Sequence, residues 1–275
     1  MAELRESPRL SALYPKAFLA SFTKRGGELP SRVYERFAVE VDPAHLADYS
    51  RVCGFRVADE LPVTYPHVLT YPMQFKLMTD NDFPFPLMGS VHVANRITQL
   101  RPLGIGEKLD LRVHVDNLRP HAKGTQFDMI SEVSVAGDPV WHDTSTYLRR
   151  GPGTGSSGDA RPDLPEPTAY WRVPGDTGRR YAEVSGDYNP IHLHPLSARL
   201  FGFRRAIAHG MWTKARCLAA FEGLLPDAFT VDVRFKLPVS LPAKLGFRSA
   251  ETDDGWRFDL TDAHATKPHL AGTIS

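Results

Sequence analysis

Tyr181-Ala182-Glu183-Val184-Ser185-Gly186-Asp187-Tyr188-Asn189-Pro190-Ile191-His192 is the stretch on which the reading of this chain turns. Asp187 and His192 stand five residues apart, with Asn189-Pro190 between them. Pro190 fixes its own φ and pushes Asn189 toward an extended conformation, so the segment is predicted to be a bent loop. Such a bend aims a carboxylate and an imidazole at one point, where a water could be held. A pair of that kind suits proton transfer, one group taking a proton from water and the other delivering one. The blander alternative makes Asp187 the cap of the next short helix and His192 an ordinary surface residue.

Downstream come Phe201-Gly202-Phe203 and then Ile207-Ala208-His209-Gly210-Met211. A helix is predicted over Met211 to Leu224, with apolar positions at Met211, Ala215, Leu218, Ala219 and Phe221 and with Gly223 near its end. Gly210 then stands where the first free N–H groups of that helix point outward. A carbonyl oxygen placed there would meet oriented donors and the positive end of the helix dipole. Alternatively, Gly210 eases a tight turn and His209 packs nearby.

In order, these residues read Tyr-x-x-Val-Ser-Gly-Asp-x-Asn-Pro-Ile-His, Ala-x-x-x-Gly-Phe and Ile-Ala-His-Gly-Met, spread over about thirty positions. The set resembles the MaoC-like dehydratase family, which includes the (R)-specific enoyl-CoA hydratases (hydratase 2). The resemblance implies a hotdog fold, a long helix wrapped by a curved antiparallel sheet, working in pairs. It implies a catalytic dyad of Asp187 and His192, Gly210 as backbone donor to a thioester oxygen, and Asn189 as a residue that supports the site. Asn189, His209 and Met211 are the expected substrate-binding residues. The implied reaction interconverts trans-2-enoyl and (3R)-3-hydroxyacyl thioesters of fatty-acyl metabolism, carried by coenzyme A or acyl carrier protein. No cofactor is expected, because the thioester itself supplies the acidity. Further pairing into a homodimer is common in that family.

The chain also repeats itself. Tyr49-Ser50-Arg51-Val52-Cys53-Gly54 matches Tyr181 to Gly186 in the pattern Tyr-x-x-Val-x-Gly. Pro102-Leu103 with Lys108-Leu109 answers Pro238-Val239 with Lys244-Leu245, as a tandem duplication would produce. Where the second copy has Gly186-Asp187 the first has Gly54-Phe55, and no Asn-Pro-x-His follows. Alternating apolar and polar residues predict strands at Lys108 to Val115, Phe127 to Val135, Trp141 to Leu148, Phe229 to Phe235 and Trp256 to Leu260. Each half reads as helix followed by antiparallel strands, an α+β arrangement. Together with the resemblance this is a double hotdog: a degenerate half over 1–150 that makes room for the acyl tail, a linker over 151–168, and a catalytic half over 169–275. The linker begins Gly151-Pro152-Gly153-Thr154-Gly155-Ser156-Ser157-Gly158 and continues through Pro162, Pro165 and Pro167. Its Gly153-x-Gly155-x-x-Gly158 opens no helix, so it is not a dinucleotide-binding turn.

Composition narrows the field. Thirty-three basic residues face 32 acidic ones, a net +1, which leaves no footprint for nucleic acid or an anionic membrane. No stretch reaches the roughly 20 apolar residues of a membrane span, so a soluble cytoplasmic protein is expected. Cys53 and Cys217 are read as buried free thiols. His192, His194 and His209 could hold a metal on paper, but Pro190 and Pro195 break the strand that would align them, and no metal is expected. Phe83-Pro84-Phe85-Pro86-Leu87-Met88 fits either an acyl tunnel or core beneath a loop, and Arg204-Arg205 is read as a solvated turn. The rivals to a hydratase are a hotdog acyl thioesterase, which would send water to the carbonyl carbon, and a non-catalytic acyl-thioester-binding protein.

Overall fold

The computed structural model describes residues 1–20, 27–86, 89–151 and 166–275. Most of the predicted linker, with its glycine pattern, lies outside them, as do Leu87 and Met88. The strands are β1 (Ala2–Glu3), β2 (Tyr34–Val39), β3 (Ser90–Gln99), β4 (Leu109–His121), β5 (Gly124–Val135), β6 (Asp138–Arg150), β7 (Ala169–Val173), β8 (Phe229–Phe235), β9 (Ala243–Thr252), β10 (Gly255–Asp262) and β11 (Pro268–Ile274). The helices are α1 (Leu10–Ala20), α2 (Pro43–Cys53), α3 (Tyr65–Thr79), α4 (Thr177–Ser185), α5 (Pro190–Leu193), α6 (Pro195–Leu200) and α7 (Gly210–Leu218).

Among the described residues the strands form one sheet in the order β1-β2-β4-β5-β6-β3-β8-β11-β10-β9-β7. Read outward from its middle, the two sides have the same plan. The run β3-β6-β5-β4-β2 is answered by β8-β11-β10-β9-β7, so two units of like topology share one sheet. They join where β3 and β8 pair antiparallel, with Ile97 opposite Val231 and Asn95 opposite Val233. Ile97, Val231 and Val233 are fully buried there, and each such aliphatic contributes roughly 1.5–3 kcal/mol. Five-strand units with a central helix, twice over, are the predicted double hotdog.

The sequence repeat has a physical counterpart. Helices α2 and α4 both end in a left-handed glycine, Gly54 at φ 86° and Gly186 at φ 75°. Each donates its N–H back to the last turn, to Ser50 O and Ala182 O respectively, the close that a residue lacking Cβ makes cheaply. The Pro-Leu and Pro-Val matches mark a second shared device. Leu61 N donates to Leu103 O at 2.8 Å, and Ala208 N donates to Val239 O at 2.9 Å. Between these fixed points the halves differ: Leu61 follows Gly54 by seven positions, whereas Ala208 follows Gly186 by twenty-two. The extra length is the segment that holds Asn189-Pro190-Ile191-His192, α5 and α6.

One expectation needs correcting, and one helix gave no signal in the sequence. The helix predicted over Met211 to Leu224 runs only from Gly210 to Leu218 and then tightens into a 3-10 turn at Ala219–Phe221. Gly223, at φ 79°, has already left the helical region. The principal helix of the first half, α3, is the longer of the two. Its sequence hides it, because Pro72 lies inside it and it is buried nearly all round, leaving no apolar stripe. Cys53 and Cys217 are buried free thiols, as expected. Phe83 and Phe85 belong to the core, where they pack against Phe127.

A polar network crosses the seam between the units. Lys214 of α7, fully buried, donates from Nζ to Asn95 Oδ1 (2.5 Å), Asn95 O (3.2 Å) and Val231 O (3.3 Å). Asn95 Nδ2 donates to Asp143 Oδ1 at 2.5 Å and to Ser145 Oγ at 3.0 Å, while His67 Nδ1 meets Asp143 Oδ2 at 2.5 Å. Burial pushes the Lys214 ammonium down to about 7, against the pull of Asp143 and Asp232.

Candidate active site

The dyad loop is built by short-range hydrogen bonds that its own residue types supply. Asp187 Oδ1 accepts from Asn189 N at 3.1 Å, and Asp187 N donates to Ser185 Oγ at 3.2 Å. Asn189, not Asp187, caps α5: its Oδ1 accepts from Ile191 N at 3.4 Å, with Pro190 at the first helical position. Its side-chain oxygen is thus engaged within the loop. His194 caps α6 by accepting from Leu196 N and is exposed, which takes it out of any ligand set.

Asp187, His192 and His209 converge. One ligand atom from each lies within 4.8 Å of the other two. His192 is buried, and its Nδ1 donates to Ile207 O at 2.8 Å. A carbonyl only accepts, so the proton of the neutral ring sits on Nδ1 and the Nε2 lone pair is left for chemistry. His209 stacks on His192 with ring centroids 3.6 Å apart, donates from Nε2 to Asp187 O at 2.9 Å, and stands 3.8 Å from the carboxylate. Among the described residues its buried Nδ1 has no partner. Because His209 directly precedes α7, this bond holds the helix start beside the dyad loop. Gly210 is the first residue of α7, where an N–H has no acceptor within the helix. A Cβ on Gly210 would press on the Phe235 ring at 3.2 Å, so glycine lets that ring lie against the helix start. Met211 is buried in the core cluster.

The electrostatics agree with a carboxylate between two neutral imidazoles. Burial pushes the Asp187 carboxyl up, but His209, His192, the Asn189 N–H and the Tyr71 hydroxyl together hold it below the usual carboxylate value. Burial lowers His192, against the pull of Asp187. His209 is driven down to about 3, by burial first and by His192 second. Burial likewise brings His92 to about 3, with His67 adding to it. An imidazole kept neutral in the fold, but free to charge near pH 6.5 when unfolded, stabilises fully above that pH. The contribution is lost as pH falls toward about 3. Melting temperature is therefore expected to fall steadily on acidification below pH 6.5. Calorimetry at stepped pH checks this, and a flat profile down to pH 4.5 would mean that these rings are not held neutral.

Several site residues gave no signal in the sequence. Gly178 of α4 touches the dyad segment so closely that a Cβ there would lie 2.1 Å from His192 O. Gly178→Ala should displace His192, with a loss of about 1–3 kcal/mol in stability and of turnover. Unchanged denaturation and unchanged kcat would show that α4 and α5 can part without consequence. Phe235 meets His92 edge-on beyond Gly210 at a centroid distance of 5.0 Å, His92 stacks on Tyr147 at 4.7 Å, and Tyr147 continues to Phe127 at 5.5 Å. Tyr71 and Tyr14, also from the first half, reach the loop of Asp187. No local pattern links any of these to the motif; packing of the helices and the shared sheet brings them there.

Two hotdog units in one chain, with one carrying the carboxylate–imidazole cluster, define the class: a double-hotdog protein. The family description MaoC like domain matches residues 162–272. The 3-hydroxyacyl-thioester dehydratase X of Mycobacterium tuberculosis is 42% identical over 256 residues, 91% of either chain. The crystal structure of HtdX from the same organism aligns at TM-score 0.80 and 41% identity, covering 88% of this chain and 99% of that one. A MaoC-like dehydratase from Phytophthora capsici shares the fold at TM-score 0.72 and 21% identity, covering 90% and 95%. The chain belongs to the MaoC-like dehydratase family and is by class a hydro-lyase. Among the described residues no helix is long and apolar enough to cross a membrane.

Proposed function

We propose that this protein interconverts trans-2-enoyl and (3R)-3-hydroxyacyl thioesters, with Asp187 and His192 as the catalytic dyad and Gly210 N–H as the donor to the thioester oxygen. The observation that carries the reading is the convergence of Asp187 and the free Nε2 of His192 beside the start of α7. In hydration, the substrate carbonyl accepts from Gly210 N–H. That draws electron density from the conjugated double bond and makes C3 electrophilic. Water held by the dyad gives its oxygen to C3 and a proton to the dyad, and a proton passes from the dyad to C2. One C–O and one C–H bond form, the C=C π bond is consumed, and the site ends as it began. Dehydration retraces the path. The two groups titrate as a coupled unit, so acid and base belong to the pair. The unpaired Nδ1 of His209 offers an acceptor to the water or to a substrate hydroxyl.

The half spanning 1–150 accommodates the acyl tail in this reading, which His92 and Tyr147, following Phe235 beyond Gly210, support. Residues 151–168 link it to the catalytic half at 169–275. The thioester arrives on coenzyme A or acyl carrier protein in the cytoplasm, and no cofactor takes part. Hydration of crotonyl-CoA, followed by loss of the conjugated absorbance and chiral analysis of the product, tests the reading. It is upheld by the (3R) alcohol and overturned by release of free thiol, the mark of a thioesterase. Binding without turnover would instead indicate an acyl-thioester-binding protein. A chain-length series of enoyl-CoA substrates then reports on the aromatic series.

A further inference from the structure

The half that lacks the dyad brings two tyrosines, Tyr14 and Tyr71, to the turn that carries Asp187. Tyr14, on α1, inserts its hydroxyl into the turn that carries the carboxylate. It donates to Gly186 O at 3.0 Å and accepts from Tyr188 N at 2.5 Å, so both peptide groups flanking Asp187 are tied to one side chain. Tyr71, on α3, lays its ring against the same turn, 3.9 Å from where a Cβ on Gly186 would stand, and it is among the groups that hold the Asp187 carboxyl down. Both tyrosines are braced from behind. Tyr14 packs on Phe75 with centroids 4.6 Å apart, Tyr71 packs on Phe75 at 5.9 Å, and these rings with Ala17, Leu10 and Leu13 form a small core apart from the main one. Leu10 also lies against Gly186, where an added Cβ would come within 2.4 Å of its side chain.

We infer that Tyr71 and Tyr14 are positioning residues for Asp187: Tyr71 orients the carboxylate, and Tyr14 clamps the turn that bears it. The first half then does more than house a tail, because it completes the polar shell of the dyad that the second half carries. The inference rests on the assignment of Asp187 proposed above. Other titratable groups facing the carboxylate are His192 and His209, with Tyr147, Tyr181 and Tyr188 nearby.

Tyr71→Phe and Tyr14→Phe in the full-length protein test it, each removing one oxygen and little volume. Two quantities are read: kcat and KM for crotonyl-CoA across pH, and the 13C carboxyl titration of Asp187, assigned by its absence in Asp187→Asn. For Tyr71→Phe, kcat is expected to fall on the order of tenfold, as the loss of a hydrogen bond to a charged group implies, with KM near the parent. The carboxyl titration and the acid limb of the rate profile should both move to higher pH. For Tyr14→Phe, kcat falls and the Tyr188 amide exchanges faster with solvent. An unmoved titration, a change confined to KM, or a moved titration with unchanged kcat overturns the inference. Should the parent protein turn over no enoyl thioester, the proposed function fails while the carboxyl titration still decides whether Tyr71 holds Asp187. If Tyr71→Phe does not fold, the half-exposed Tyr14 carries the test through its amide exchange and kcat.

Discussion

Asp187→Asn is expected to lower kcat for enoyl-thioester hydration by about 10²–10⁴-fold while leaving the fold intact. The amide keeps an oxygen that can accept from Asn189 N, so the Asx turn that shapes the loop survives. What disappears is the negative charge that faces His192 and His209, and with it the carboxylate's capacity to take a proton from water. His192→Ala should cost a similar factor, since it removes the free Nε2 and the ring on which His209 stacks. The double variant should lose little more than either single one, because groups that act as a unit are not additive. Steady-state rates with crotonyl-CoA, alongside thermal melts of each variant, check the set. If Asp187→Asn turns over at near the parental rate with an unchanged melt, the carboxylate has no part in the chemistry. If His192→Ala raises only KM, that residue binds and does not react.

Asp143→Ala should destabilise the chain by about 3–5 kcal/mol, the usual cost of removing one partner from a buried charged network. Asp143 is fully buried and accepts from both Asn95 Nδ2 and His67 Nδ1. Through Asn95 it also faces Lys214, whose ammonium burial already presses toward neutrality. Without the carboxylate, Asn95 and His67 lose an acceptor and Lys214 loses a counter-charge, all inside the seam that joins the two units. Lys214 sits on α7, so the damage should spread to the helix start at Gly210, and activity should fall with stability. Pairing Asp143→Ala with Lys214→Met should recover part of the loss, since an apolar replacement removes the stranded charge. Denaturant unfolding of the single and double variants reads this directly. A loss below about 1 kcal/mol for Asp143→Ala would show that the network is dispensable.

Much of the architecture was legible in the chain because it rests on local rules. The period-two alternation at Phe229 to Phe235 marks β8 to the residue, and the Tyr-x-x-Val-x-Gly repeat marks two helices that end in left-handed glycines. Pro190 closes the bend after Asn189 and opens α5, which carries His192, and the predicted meeting of Asp187 and His192 is found with His209 added to it. Where the reading fell short, long-range packing had overruled local preference. Helix α3 escaped notice because burial on every side erases the stripe by which an amphipathic helix is recognised. The helix after Gly210 ended early because Gly223 turns into a left-handed conformation and Glu222 reaches across to accept from Arg56 N of the other half.

In the sequence alone the Asp-x-Asn-Pro-x-His pattern stands in the second copy, since Gly54-Phe55 takes the place of Gly186-Asp187 in the first and no Asn-Pro-x-His follows it. Only the tertiary structure decided which groups surround that pair. Gly178, Tyr71 and Tyr14 lie far from Asp187 or His192 along the chain, or carry no pattern of their own, and they arrive through packing against the dyad loop. The physical reason is range. Turn chemistry, capping and alternation act over a few residues and leave their mark in the order of the letters. The surroundings of a buried carboxylate are assembled by burial of apolar surface, which is not directional and links any positions whose faces happen to fit.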